Sequence, residues 1–65
     1  MLKNKTILIT GGTGSLGKAL TRHIFKKYPD VGKVIIFSRD EQKQFQMAQE
    51  YPSLEYPQIR FFIGD

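Results

Sequence analysis

The segment Thr10-Gly11-Gly12-Thr13-Gly14-Ser15-Leu16-Gly17 holds four glycines and three hydroxyl side chains in eight consecutive positions. Gly12, Gly14 and Gly17 fit the spacing G-x-G-x-x-G, and Gly11, Gly14 and Gly17 fit a three-residue spacing. Glycines so placed allow a tight turn, let a pyrophosphate approach the backbone and let a helix pack closely on a strand. The segment follows an apolar run, Thr6–Thr10, and opens a helical pattern. A helix starting there aims its N–H groups and a partial positive charge at a phosphate. Thr13 and Ser15 add hydroxyls at the same place. A merely structural turn accounts for one or two of these glycines, not four, so the chemistry indicated is dinucleotide binding.

A rival phosphate loop shares the segment. Gly12 to Lys18 satisfies the first seven positions of G-x-x-x-x-G-K-[ST], but the eighth is Ala19, which has no hydroxyl to hold Mg²⁺. The mononucleotide reading is set aside on that residue.

A second group of residues bears on which dinucleotide is bound. An NAD site places Asp or Glu at the end of the second strand to accept bonds from the ribose 2′-hydroxyl. Here the second apolar run ends Phe37-Ser38-Arg39. A hydroxyl and a guanidinium suit a 2′-phosphate, and Lys43, one helical turn on, can reinforce them. NADP is therefore expected. Asp40 and Glu41 bring negative charge nearby, although both suit the first turn of a helix, where acids are favoured by the dipole. Asp65, just after a third run, stands where this kind of fold often meets the adenine edge. His23 and Tyr28 are read as surface and packing residues.

The elements that must position these groups are short. Thr6–Thr10, Val34–Phe37 and Ile59–Ile63 are apolar runs without polar alternation, as in parallel strands covered on both faces. A helix is expected from about Ser15 to Lys27, with Leu16, Leu20 and Ile24 as its apolar stripe and Lys18, Arg22 and Lys26 on another side. Tyr28-Pro29-Asp30 ends it. A second helix is expected from about Asp40 to Tyr51, with Phe45, Met47, Ala48 and Tyr51 inward, and Pro52 and Pro57 bracket the loop that follows. The order β-α-β-α-β implies a parallel sheet with right-handed crossovers, strand order 3-2-1 and both helices on one face. The other face and the edge of the first strand are left bare. The expected fold is thus α/β, the N-terminal β-α-β-α-β portion of a Rossmann doubly wound parallel sheet. Residues 1–65 would form part of an NADP-binding domain whose remainder, like the substrate domain, is absent.

Bulk properties agree with a piece of a soluble enzyme. Sixty-five residues support at most one small domain, and with no cysteine and one histidine neither disulfides nor a zinc site can reinforce it. The net charge of +4 suits an anionic ligand, but the cations are spread along the chain and form no nucleic-acid patch. No run approaches a membrane span and no signal peptide precedes the first strand, so a cytoplasmic protein is expected.

The loop Thr10 to Gly17 resembles the T-G-x-x-G-x-x-G signature of the extended short-chain dehydrogenase/reductases. Phe37-Ser38-Arg39-Asp40-Glu41-Gln42-Lys43-Gln44, Met47-Ala48-Gln49 and Arg60-Phe61-Phe62-Ile63-Gly64-Asp65 are similar to the inverting UDP-N-acetylglucosamine 4,6-dehydratases of the polysaccharide-biosynthesis branch. The resemblance covers essentially the whole chain but only the cofactor half of such an enzyme. It implies that Gly11, Thr13, Gly14, Ser15, Leu16 and Gly17, then Ser38, Arg39, Asp40 and Lys43, then Asp65, hold NADP. It also implies a UDP-sugar substrate, a homo-oligomeric parent and a redox-neutral reaction. Hydride leaves C4 of the sugar for NADP⁺, a base removes the C5 proton, water departs from C6, and hydride returns to C6 with C5 inverted. The family's catalytic Tyr-x-x-x-Lys has no counterpart here, since Tyr28 and Tyr51 lack a Lys four residues on and Tyr56 has Arg60. The 65 residues alone are expected to be inactive. Two other readings stay open: a reductase or 4-epimerase acting on another UDP-sugar, and a non-catalytic nucleotide-sensing module.

Overall fold

The computed structural model describes residues 3–11 and 13–64. Five elements alternate along the chain: β1 (Thr6–Thr10), α1 (Ser15–Lys27), β2 (Lys33–Ser38), α2 (Glu41–Glu50) and β3 (Ile59–Ile63). The strands form one parallel sheet of order β1-β2-β3, with Ile9 opposite Ile36 and Ile36 opposite Phe61. The expected order, with β2 central, is found.

Because side chains alternate along a strand, the pairing sorts the apolar residues onto two faces. Ile9, Val34, Ile36 and Ile59 are buried and pack with Ile24 of α1 and Met47 of α2, so both helices cover the same face. On the other face no described element lies over Leu8 and Phe62, which are 59% and 52% exposed. Ile35 and Phe37, on that same face of β2, are only half-buried. The strands are therefore apolar on both sides while the helices cover one, as the run composition implies.

The inward helix faces differ from the expected stripes. In α1 the buried residues are Gly17, Thr21 and Ile24, while Leu16 is 83% exposed and Leu20 44% exposed. Gly17, a residue with no side chain to hold a helix off a sheet, is on this inner face. Thr21 tolerates full burial because its hydroxyl donates to the Gly17 carbonyl at 2.8 Å. In α2 the buried residues are Gln44 and Met47, and Phe45 is 66% exposed rather than inward. Gln44 Nε2 donates to the Phe62 carbonyl at 2.6 Å, which tethers α2 to the end of β3.

Both helices stop in the same way. Tyr28 and Tyr51 follow the last helical residues with φ/ψ of −128°/66° and −129°/66°, and each precedes a proline. The proline ring disfavours helical dihedrals in the residue before it, so the helix ends there. Tyr51 and Tyr56 stack with Phe25 in an aromatic cluster, with centroids 4.9–5.6 Å apart. The rings border a cavity of about 340 Å³ that is also lined by Arg22, Lys26 and Glu50. Burial, then the Glu50 carboxylate, pushes the Tyr51 phenol above its ordinary pKa. This cavity lies towards the C-terminal ends of the helices, at the opposite pole from the glycine loop.

Candidate dinucleotide-binding site

The C-terminal ends of the strands bring the candidate residues together. The ladder runs on past the strands on both sides of β2: Gly11 N donates to the Phe37 carbonyl at 2.8 Å, and Gly64 N to the Ser38 carbonyl at 3.1 Å. The loop after β1, the Ser38-Arg39-Asp40 segment and the residues after β3 thus converge on one rim of the sheet. Open α/β sheets bind ligands outside this rim.

Within the loop, Gly11 has φ of +65°, a conformation that glycine adopts without a steric penalty. The turn closes through Gly14 N to the Gly11 carbonyl at 3.1 Å. Gly14 itself is different. Its φ/ψ of −78°/177° suits any residue, and among the described residues a Cβ there would meet nothing nearer than the Gly11 carbonyl at 3.5 Å, an ordinary contact. Among the described residues nothing in the fold requires a glycine at position 14, which is half-buried. Gly14→Ala should leave the melting temperature unchanged or slightly raised, by up to about 0.5 kcal/mol of stability. The same substitution should weaken dinucleotide binding at least about tenfold, because the methyl group fills the space a pyrophosphate needs. Calorimetric melting and equilibrium titration of the full-length protein read the two effects separately; a loss of stability would return Gly14 to the fold.

The two helix starts that face the rim contrast in charge. Gly14 caps α1 with no side-chain bond, and the first turn of α1 contains no acid. Among the described residues nothing bonds the first N–H groups of this helix start, which carries the partial positive charge of a helix N-terminus. At α2, Asp40 is the N-cap and accepts from Lys43 N at 3.0 Å, with Glu41 in the first turn. That helix start is satisfied by its own residues.

Around these starts, Thr13 is buried, Gly17 is buried on the inner face of α1, and Ser15 and Leu16 are exposed. Arg39 and Lys43 are also exposed, with their charges free of burial. Ser38 is 5% exposed, and among the described residues its buried Oγ has no hydrogen-bond partner. A buried hydroxyl without a partner is costly unless something completes it. Gly12 and Asp65 lie outside the described residues. Gln44, which a stripe of hydropathy passes over, reaches the Phe62 carbonyl two strand positions before Gly64. Its place one turn before Met47 and Ala48 is the signal that puts it on the inner stripe.

Residues 7–65 match the profile of the family described as polysaccharide biosynthesis protein. The chain belongs to that family. The family is a branch of the extended short-chain dehydrogenase/reductases, and the β-α-β-α-β fold is that of an N-terminal Rossmann portion. Over all 65 residues the chain is 51% identical to a UDP-N-acetylglucosamine 4,6-dehydratase (inverting) of Campylobacter jejuni. It is 46% identical, over a 67-residue alignment, to a UDP-glucose 4-epimerase of Rickettsia bellii. Among solved structures, an X-ray structure of Pen from Bacillus thuringiensis superposes on the whole chain with a TM-score of 0.84 at 35% identity. The chain spans about 18–19% of the length of these relatives. Among the described residues, no helix of this family member is long and apolar enough to cross a membrane, and no group of three or more His, Asp or Glu residues could hold a metal ion.

Proposed function

We propose that residues 1–65 are the N-terminal part of the NADP-binding domain of a UDP-N-acetylglucosamine 4,6-dehydratase (inverting) that serves bacterial surface-glycan synthesis. The 51% identity along the whole chain to the Campylobacter enzyme carries the reaction. The bare sheet face and the 18% span support the rest of the domain, and the substrate domain, lying in a longer chain. A cytoplasmic location belongs to the same reading, since UDP-sugars and NADP are cytosolic metabolites.

The residues on the rim fit NADP. The unpartnered Ser38 hydroxyl and the exposed Arg39 and Lys43 offer one donor and two cations to a 2′-phosphate at the end of β2. The open space at Gly14 and the uncapped start of α1, with Thr13, Ser15, Leu16 and Gly17, accommodate the pyrophosphate. Gly11 sets the turn that presents this backbone. Asp40 belongs to the site through its neighbours, and Asp65 extends it after β3. When bound, NADP supplies a hydride acceptor that is restored within each cycle. This chain's residues bind and orient that group; the acid, base and sugar contacts belong to the rest of the enzyme.

The 46% identical 4-epimerase supports a second reading, in which the sugar is epimerised at C4 with no loss of water. Incubating the full-length protein with UDP-N-acetylglucosamine and weighing the product separates the two. Loss of one water without added reductant is the expected result. An unchanged mass from folded, cofactor-loaded protein would replace the dehydratase by the epimerase.

A further inference from the structure

At the rim, Asp40 occupies the stretch where an acid would ordinarily favour a free ribose 2′-hydroxyl over a 2′-phosphate. It follows Arg39 directly and precedes Lys43 by three residues. A free carboxylate between two cations would weaken their hold on a phosphate. The geometry gives the carboxylate a different occupation. Asp40 Oδ1 accepts from Lys43 N at 3.0 Å, and its own carbonyl accepts from Gln44 N at 3.0 Å. Asp40 is thus the residue that starts α2, and the cation it bonds by backbone is one of the two available for the phosphate.

We propose that Asp40 is a positioning residue for the NADP 2′-phosphate. Its carboxylate locks the first turn of α2, fixes the backbone that carries Arg39 and Lys43, and answers the helix N-terminus instead of opposing the phosphate. The proposal rests on the NADP reading and adds a cause of cofactor preference that lies outside the cofactor's direct contacts. α2 has few other anchors: only Gln44 and Met47 are buried. Without the cap the first turn frays, and a bound 2′-phosphate must order it again. NAD⁺ has no group there and is spared that cost.

Two classes of substitution separate the cap from the charge. Asparagine and serine cap helices about as well as aspartate, whereas alanine does not. In the full-length enzyme, Asp40→Asn and Asp40→Ser should hold the ratio of NADP⁺ to NAD⁺ affinity within about twofold of wild type. Asp40→Ala should lower NADP⁺ affinity about fivefold, with little change for NAD⁺. Titration of each dinucleotide into apo-enzyme reads both, and a melting curve establishes that each variant is folded; a merely structural cap would lower the melting temperature and leave the ratio alone. Equal losses in Asp40→Asn and Asp40→Ala would assign the carboxylate a direct contact and overturn the proposal. A rise in NADP⁺ affinity in all three would show repulsion and overturn it equally. Wild-type enzyme that binds NAD⁺ as tightly as NADP⁺ would remove the cofactor reading itself, a failure visible before any variant is made.

Discussion

Arg39→Ala in the full-length enzyme should weaken NADP⁺ binding about 50-fold and leave NAD⁺ binding within about threefold. Charge-assisted hydrogen bonds to a phosphate contribute on the order of 2–3 kcal/mol beyond what solvent returns, and each 1.4 kcal/mol is a factor of ten. Among the described strands, Arg39 follows the one with neighbours on both sides, so its backbone is held while its side chain stays exposed. Its neighbour Ser38 is buried, and its Oγ meets no hydrogen-bond partner among the described residues. A rigid hydroxyl beside an exposed guanidinium suits a ligand that arrives with several acceptor oxygens. Equilibrium titration with the two dinucleotides reads the effect. Parallel loss of both would remove Arg39 from the proposed 2′-phosphate site and count against the NADP reading.

Met47→Ala carries the largest expected cost in stability, about 2–5 kcal/mol, because it deletes a fully buried side chain and leaves a cavity. Met47 is 0% exposed and packs with Val34, Ile36 and Ile59. It is also the one buried apolar side chain of α2, whose only other buried residue is Gln44. The loss should therefore concentrate in α2 and reach the rim through the Asp40 cap. Urea unfolding of the full-length enzyme should show a lower midpoint, and hydrogen exchange should show faster opening of residues 41–50 than of the β2 core. A stability change below about 0.5 kcal/mol, the scale of surface substitutions, would contradict the anchoring role of Met47.

Much of this arrangement is legible in the sequence. β1, α1 and β3 occupy the expected ranges, and β2 and α2 differ by one residue at each end. Those segments are readable because apolar β-branched runs and proline stops act locally, before any tertiary contact forms. The loop is readable because glycine spacing encodes backbone geometry directly. The inward faces of the helices are harder to read, since hydropathy assigns a face by counting apolar residues. Leu16 and Leu20 are apolar but exposed, because the face that α1 turns to the sheet carries Gly17, Thr21 and Ile24. Gln44 is polar but buried, because a carbonyl at Phe62 lies within reach of its amide. Close approach and a distant acceptor are both tertiary facts that no apolar periodicity records. The burial of Ser38 is of the same kind: the sequence offers a hydroxyl, and only the fold shows it buried with no partner among the described residues.

The paired Tyr-Pro endings have a consequence for how such a unit can diversify. Two helices of 13 and 10 residues share one stop signal, set at the pole away from the rim, yet their starts are unlike. The shared stop works as punctuation: it returns the chain to the next strand whatever the helix before it has carried. The starts hold the message, one left open for a visiting anion and the other sealed by its own aspartate. A β-α unit can therefore change at its helix start without any revision of the phrase that closes it.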